Sequence, residues 1–310
     1  MAVVIATAMC VLSFIFQPEL PLGGTPGLCL PSPAYWIKDP FLSWIINFLI
    51  MGSTAILIYF VNQTYNFVRI NQPVLPALFL LLTAANPWIT NVLNTSMIMA
   101  LVNILCLSIL FGAYKSTNAT QEMFLIATFL SLGSMFEYAF LPMGLAYLLG
   151  ALIMKALRLK ELLAFFMGLV APYWVGLGFG ILKLEWFRMP EITYLFADRE
   201  LALEIFLLLV SVAVVIFIGI CTGMSNSIRL YAGNSRVNAM NLAISVLGSL
   251  CVICILIDFN NILAYLATLY FTVAVQLANL CALWQMRHEW IVVGVAAIIF
   301  IGFFAAMIAV

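Results

Sequence analysis

The chain is 310 residues long; 66% of its residues are hydrophobic and 8% are charged, against about 25% charged in a soluble domain. This composition excludes a soluble globular protein. The 12 basic and 12 acidic residues give a net charge of zero, and no Lys/Arg-rich run is present that would neutralise a phosphate backbone, so nucleic acid is excluded as a partner.

Apolar stretches separated by polar or Pro/Gly clusters predict eleven membrane helices. A helix needs about 20 mostly apolar residues to cross about 30 Å of hydrocarbon. The predicted segments are 2–16, 41–60, 73–89, 97–114, 123–140, 143–157, 162–182, 201–221, 238–258, 262–283 and 291–309, with Leu141-Pro142 as the turn between the fifth and the sixth. We therefore expect an all-α, polytopic transmembrane helix bundle of about eleven spans, forming a single integral domain over residues 1–310 of a protein that lies in a lipid bilayer.

Lysine and arginine orient these segments, because cytoplasmic loops carry more basic residues than external loops. A cytoplasmic N-terminus places eight of them inside: Arg69, Lys115, Lys155, Arg158, Lys160, Arg229, Arg236 and Arg287. Four then lie outside: Lys38, Lys183, Arg188 and Arg199. The rule therefore predicts a cytoplasmic N-terminus and, with an odd number of spans, an external C-terminus. No basic stretch precedes the first segment, so we expect that segment to be retained as a span.

Acidic residues are rare in the predicted spans, where an ionisable side chain costs at least about 2.5–3.5 kcal/mol. Glu137 lies near the external end of the fifth segment, and Glu204 lies one turn into the eighth. Glu204 is expected at the membrane interface or in an ion pair with a nearby arginine. Glu137 is a candidate substrate-binding residue. No second acid or histidine is evident at the depth of Glu137, so the sequence does not predict a proton relay.

Asparagine and serine residues recur along several predicted spans. Among them, Asn86, Asn91 and Asn94 lie around the turn between the third and fourth segments, and Asn103 lies in the fourth. In the ninth segment the spacing i, i+3, i+7, i+11 places four polar residues on one helical face: Asn238, Asn241, Ser245 and Ser249. Such side chains either form hydrogen bonds between helices or line a substrate path. We favour the hydrogen bonds and keep the path as the alternative.

The cysteines and the short motifs of the chain predict neither a disulfide framework nor a cofactor. Six of the 7 cysteines lie in apolar segments, and Cys29 lies in a loop. Cys251 and Cys254 form a CxxC in an apolar helix with no further Cys or His pair for a metal site, so both are expected to pack in the core. Without a nucleotide-binding loop or an HExxH motif, we expect no cofactor and no metal.

One part of the chain, residues 71–178, resembles a known family. It runs from NQPVLPALFLLLTAANPWIT through the turns KSTNATQE and KALRLK to LLAFFMGLVAPYW, which contains Gly168, Leu169, Pro172 and Tyr173. This order resembles an uncharacterised family of multi-pass membrane proteins common in Bacteroidota, whose members share the Gly-Leu-x-x-Pro-Tyr motif. More distantly it is similar to the membrane core of C-type glycosyltransferases, which transfer sugars from polyprenyl-phosphate carriers at the external face.

The resemblance implies a protein of the bacterial cytoplasmic (inner) membrane that acts on a polyprenyl-phosphate-linked sugar. Such an enzyme needs an external acid and a cation for the lipid phosphate. The two long external segments, 17–40 and 183–200, offer Glu19 or Asp39 as the catalytic base and Arg188 or Arg199 as substrate-binding residues. The mixed charge of the second segment also fits a solvated loop.

Two other classes of function remain open. Glu137 and the Asn/Ser-bearing helices are also typical of a small-molecule or lipid transporter or flippase. A non-catalytic subunit that packs against another membrane protein of a cell-envelope complex would show the same apolar helices. The two long external segments favour the enzyme slightly, because function concentrates in long loops.

Overall fold

The computed structural model describes residues 2–18, 27–68, 73–188, 192, 203–230, 235–283 and 289–309. Within these ranges all regular secondary structure is helical. The described α-helices are α1 (Ala2–Phe16), α2 (Pro40–Tyr65), α3 (Val74–Ala84), α4 (Pro87–Thr90), α5 (Thr95–Gly112), α6 (Thr120–Phe136), α7 (Phe140–Ile153), α8 (Leu159–Gly178), α9 (Leu203–Leu230), α10 (Ser235–Ile257), α11 (Ile262–Leu283) and α12 (Glu289–Ile308).

Each of the eleven predicted segments overlaps a helix. The third segment contains two helices, α3 and α4, and α9 runs on to Leu230, well past its predicted end. Among the described residues, 7 helices are long and apolar enough to cross a membrane: α2, α5, α8, α9, α10, α11 and α12. Helices α1, α3 and α7 are apolar but shorter. The chain is therefore an all-helical membrane protein.

Side-chain caps set the start of three helices. Asp39, Asn86 and Asn94 each accept a hydrogen bond from the backbone N–H two residues further on, which satisfies a donor that the first helical turn leaves free. Proline follows two of these caps, at Pro40 and Pro87. Because Pro87 has no N–H to continue α3, the third predicted segment breaks at Asn86.

The turn between α6 and α7 lies earlier than the sequence predicted. α6 ends at Phe136 and α7 begins at Phe140, so Leu141-Pro142 belongs to the first turn of α7. Proline is tolerated there because N–H groups of the first turn have no partner inside the helix. Glu137 consequently caps α6 in an extended conformation, with φ −152° and ψ 115°.

The centre of the bundle is formed by α11 and α3. In an 18-residue apolar stretch that includes most of α11, 89% of the residues are buried, against 28% in the corresponding stretch of α8. All residues of α3 except Pro76 are buried, and α3 packs against α1, α2, α11 and α12. An 11-residue helix that is apolar on every side is stable in this position because its neighbours cover its whole circumference.

The Gly-Leu-x-x-Pro-Tyr motif packs α8 against α6. A Cβ on Gly168 would lie 2.5 Å from the carbonyl oxygen of Phe124, so only glycine allows the two helices to approach so closely. Ser131 donates a hydrogen bond to the Leu169 carbonyl at 2.6 Å, and the hydroxyls of Ser134 and Tyr173 are hydrogen-bonded to each other. Gly168, Leu169 and Tyr173 therefore have a structural role at this interface.

Candidate functional site

Four helix ends meet at one end of the bundle, which we call the Glu137 end. These are the starts of α5 and α11 and the ends of α6 and α10. A group of buried polar side chains lies between them, and we call it the carboxylate cluster: Ser32, Thr95, Glu137, Tyr138, Asp258, Asn261 and Tyr265. The topology predicted from the sequence places every one of these helix ends on the external side.

Glu137 is the acid of the cluster with an incomplete set of hydrogen bonds. Its side chain is 3% exposed. Oε2 accepts a hydrogen bond from Thr95 Oγ1 at 3.3 Å, and Ser32 also forms a hydrogen bond with the carboxyl group. Oε1 has no partner among the described residues. A buried polar atom without a partner is costly, so its position calls for an explanation.

Asp258, in contrast, is fully hydrogen-bonded. It follows α10 directly and is 4% exposed. The Asn261 amide donates to Oδ1 and Oδ2 at 3.2 and 3.0 Å, and the Tyr265 hydroxyl donates to Oδ2 at 3.1 Å. The same amide lies 2.6 Å from the Tyr138 hydroxyl. These donors suit a charged carboxylate.

The two carboxyl groups lie close enough for electrostatic interaction. Sequence reasoning found no second acid at the depth of Glu137, and the structure corrects this, because Asp258 is that acid. The signal was present in the span pattern, since residue 258 ends the ninth segment on the same predicted side as residue 137. Their proximity was not predicted because the two residues are more than a hundred positions apart in the sequence.

A second feature is a lateral groove between α9, α10 and α11, with a volume of about 490 Å³. It is lined by Ile216, Gly219, Ile220, Gly223, Met224, Ser245, Gly248, Ser249, Val252, Leu269, Thr272, Val273 and Gln276. These positions lie in the middle of their helices rather than at the Glu137 end. The lining is mainly apolar and carries no charged side chain.

A chain of amide and hydroxyl groups borders this groove. Asn226 donates to the carbonyl and to Oε1 of Gln276 at 2.8 and 2.9 Å, and Gln276 Nε2 donates to Ser245 Oγ at 2.8 Å. Further along α10, Asn241 accepts from Asn279 at 2.6 Å and donates to the Phe67 carbonyl at 3.1 Å. Hydrogen bonding between helices, as predicted from the ninth segment, is confirmed for Asn241 and Ser245.

Other polar residues of the predicted spans also form contacts between helices. Asn103 donates to Thr268 Oγ1 at 3.0 Å and accepts from Tyr147 at 2.9 Å. Ser249 behaves differently, because it donates only to the carbonyl of Val246 in its own helix and faces the groove. The polar face of α10 therefore serves both packing and the groove.

The remaining predicted site residues are not gathered into one place. Asp39 is exposed and caps α2 through a 3.0 Å hydrogen bond from the Phe41 N–H. Arg188 is exposed, and its backbone N–H donates to the Leu28 carbonyl at 3.0 Å. Glu19 and Arg199 lie outside the described residues. Of the predicted set, Glu137 alone is seen in the carboxylate cluster.

Residues 27–30, in the first of the two long segments predicted to be external, are docked on the end of α6. The N–H groups of Cys29 and Leu30 donate to the Met135 carbonyl at 3.2 and 2.9 Å. Gly27 packs directly on the backbone of Phe136, where a Cβ would collide with it. Together with the contact between Arg188 and Leu28, this brings described residues of both long segments that were predicted to be external close to the end of α6 that precedes Glu137.

Comparison with known proteins found no matching family model, no matching curated protein and no matching solved structure. The likeness to the Bacteroidota family and to C-type glycosyltransferases thus stays a prediction from sequence. Function has to be inferred from the groove and the carboxylate cluster.

Proposed function

We propose that this chain is a membrane transporter for a small amphipathic molecule and that the lateral groove between α9, α10 and α11 is its binding site. The observation that carries the proposal is the groove itself, whose volume of about 490 Å³ falls within the range of about 300–1,000 Å³ that small-molecule sites occupy. An apolar wall with a few polar groups is the usual composition of such sites.

The lining defines the class of molecule. The groove has no charged side chain, so a charged ligand would lose its hydration without a counter-charge. Ser245 and Gln276 offer hydrogen-bonding groups at one wall, while Ile220, Val252 and Leu269 offer apolar contact. A neutral molecule, mostly hydrocarbon with one or two hydrogen-bonding groups, fits this surface.

Cysteine accessibility tests the proposal. Cys221 is the exposed native cysteine among seven, and the others are buried, so a Cys221→Ser protein is a suitable background. Ile220 lines the groove and Phe217 does not, although both are exposed on α9. We expect Ile220→Cys to react with a water-soluble maleimide and Phe217→Cys, which faces lipid less than one turn away, to stay unmodified.

A water-filled path requires the reagent to reach Ile220→Cys, and an apolar molecule added beforehand should slow the modification. Equal resistance of both variants to the reagent would show that the groove is closed to water, and the transporter would then be rejected.

The eleven-span topology, with the N-terminus cytoplasmic and the C-terminus external in a bacterial inner membrane, forms part of the proposal. The contacts between helix ends and turns on each side of the bundle support this topology. At the Glu137 end, hydrogen bonds join residues predicted to lie at the external side, such as 28–30 with 134–135. At the opposite end, Lys115 N–H donates to the Met154 carbonyl, and Tyr114 is hydrogen-bonded to Ser235, which joins turns predicted to be cytoplasmic.

A second candidate is the external glycosyltransferase-like enzyme. The docking of both long external segments beside Glu137 favours it, because a lipid-linked sugar would meet residues from the two segments at one place. If Glu19 or Asp39 is the base, Glu19→Gln with Asp39→Asn should abolish complementation of a deletion strain, measured as the composition of its envelope glycans. Asparagine still caps a helix, so Asp39→Asn spares α2. Unchanged glycans would eliminate the enzyme.

A further inference from the structure

We propose that Glu137 is a proton-binding site that exchanges its proton with the aqueous phase at the Glu137 end of the bundle. Loss of this proton weakens the contact between the first long segment and α6. The inference goes beyond transport through the groove and does not depend on it. It rests on the arrangement of the two buried carboxyl groups and of the hydroxyls around them.

The hydrogen bonds divide the roles of the two acids. Asp258 receives donors from Asn261 and Tyr265 on both oxygens, which is the surrounding of a charged carboxylate. Glu137 has one oxygen with no partner among the described residues, an arrangement that a buried charge does not tolerate well. A neighbouring negative charge favours the protonated form of a carboxyl group, so the charge of Asp258 and the unpartnered oxygen both favour a proton on Glu137.

The hydroxyls beside Glu137 suit both protonation states. Thr95 Oγ1 lies 3.3 Å from Glu137 Oε2, and Ser32 Oγ lies 3.5 Å from Thr95 Oγ1, with either hydroxyl able to donate. A hydroxyl donates to a charged carboxylate and accepts from a protonated one. The Thr95 and Ser32 hydroxyls can therefore match either protonation state at Glu137 Oε2 by rotation alone.

The groups around Glu137 favour a proton over a metal ion or a basic side chain as the partner of its carboxyl group. Among the described residues, the charged or titratable groups near it are Asp258 at the end of α10 and the tyrosine next to it in the chain, Tyr138. The hydroxyls come from Thr95 of α5 and from Ser32. Among the described residues no lysine or arginine forms an ion pair with Glu137. Nor do these residues include a group of three or more acids, cysteines and histidines that would hold a metal ion.

The connection to the external segment follows from Ser32. This residue belongs to the segment whose Cys29 and Leu30 are bonded to the backbone at the end of α6, just before Glu137. A deprotonated Glu137 places a second negative charge beside Asp258. This charge changes the hydrogen bonding of the nearby Ser32 hydroxyl and repels the end of α10. Release of the proton should therefore loosen the contact between the first external segment and α6.

Infrared difference spectroscopy of the purified full chain across a pH series tests the site. We expect a band from the C=O stretch of a protonated carboxyl group that disappears reversibly at high pH. Glu137→Gln should abolish it, and glutamine keeps the acceptor for Thr95. Asp258→Asn should retain the band but move its loss to lower pH, because the neighbouring charge that holds the proton in place is gone.

Glu161→Gln is the matched control, since Glu161 is also buried, at 1% exposure, but lies at the start of α8. This variant should leave the band of Glu137 and its pH dependence unchanged. A band that survives Glu137→Gln, or one that disappears when sodium is added at constant pH, would overturn the proposal. If Glu137→Gln does not fold, as judged by size-exclusion chromatography, the shift in Asp258→Asn decides the question by itself.

Discussion

At the scale of single residues, two glycines of α8 have opposite roles. Gly168 lies where α8 meets α6, and a Cβ there would come 2.5 Å from a backbone oxygen that cannot move aside. Gly178 is at the last turn of the same helix, and a Cβ there would meet nothing within 4 Å. The spacing Gly176-x-Gly178-x-Gly180 would suggest close helix packing, but a Cβ on Gly178 or on Gly180 would meet open space.

The pair makes a prediction about stability. Gly168→Ala forces α6 and α8 apart, and we expect it to lower the free energy of unfolding by about 1–3 kcal/mol, as overpacked sites do. Gly178→Ala should be neutral or stabilise by up to about 1 kcal/mol, because alanine is the better helix former. Thermal unfolding of both variants in the same detergent measures the difference. Equal midpoints would contradict the close approach of α6 and α8.

At the scale of elements, α10 shows how one helix serves two neighbours. Asn241 connects it to the Phe67 carbonyl and to Asn279 of α11, whereas Ser249 bonds only within the helix. The regular spacing of these residues showed that they share a face, but it did not distinguish the residue that binds other helices from the one that lines the groove.

This difference predicts the effect of removing each side chain. Asn241→Leu leaves the Phe67 carbonyl and the Asn279 amide without a partner, so we expect a loss of about 1–3 kcal/mol. Ser249→Ala should change stability by less than about 0.5 kcal/mol. Unfolding in a denaturing detergent series compares the two. A harmless Asn241→Leu would mean that the amide network is not a source of stability.

At the scale of the whole molecule, the arrangement of the two ends of the bundle can be tested directly. Tyr35 is 73% exposed in the first segment predicted to be external, and Thr117 is exposed in the turn between α5 and α6 at the opposite end. In a Cys221→Ser background we expect Tyr35→Cys to react with a membrane-impermeant maleimide in intact cells and Thr117→Cys to react only after lysis. The reverse result would invert the topology.

The sequence by itself determined that this is an all-helical membrane protein, because hydrophobicity is a property of each stretch of chain and every apolar stretch forms a helix in lipid. It also located Glu137 as an unusual acid. The sequence placed the turn between α6 and α7 too late. Pro142 was interpreted as a helix-breaking residue, whereas proline is accepted in the first turn of a helix.

Only the tertiary structure decided which distant residues meet. The approach of Asp258 to Glu137, the contact of Ser32 with the same carboxyl group and the groove between α9, α10 and α11 all depend on how the helices pack side by side. In a bundle whose surfaces are almost uniformly apolar, many side-by-side arrangements satisfy the same hydrophobic pattern. The choice among them is made by close approach at glycines and by hydrogen bonds between helices, and these are visible only once the helices are in place.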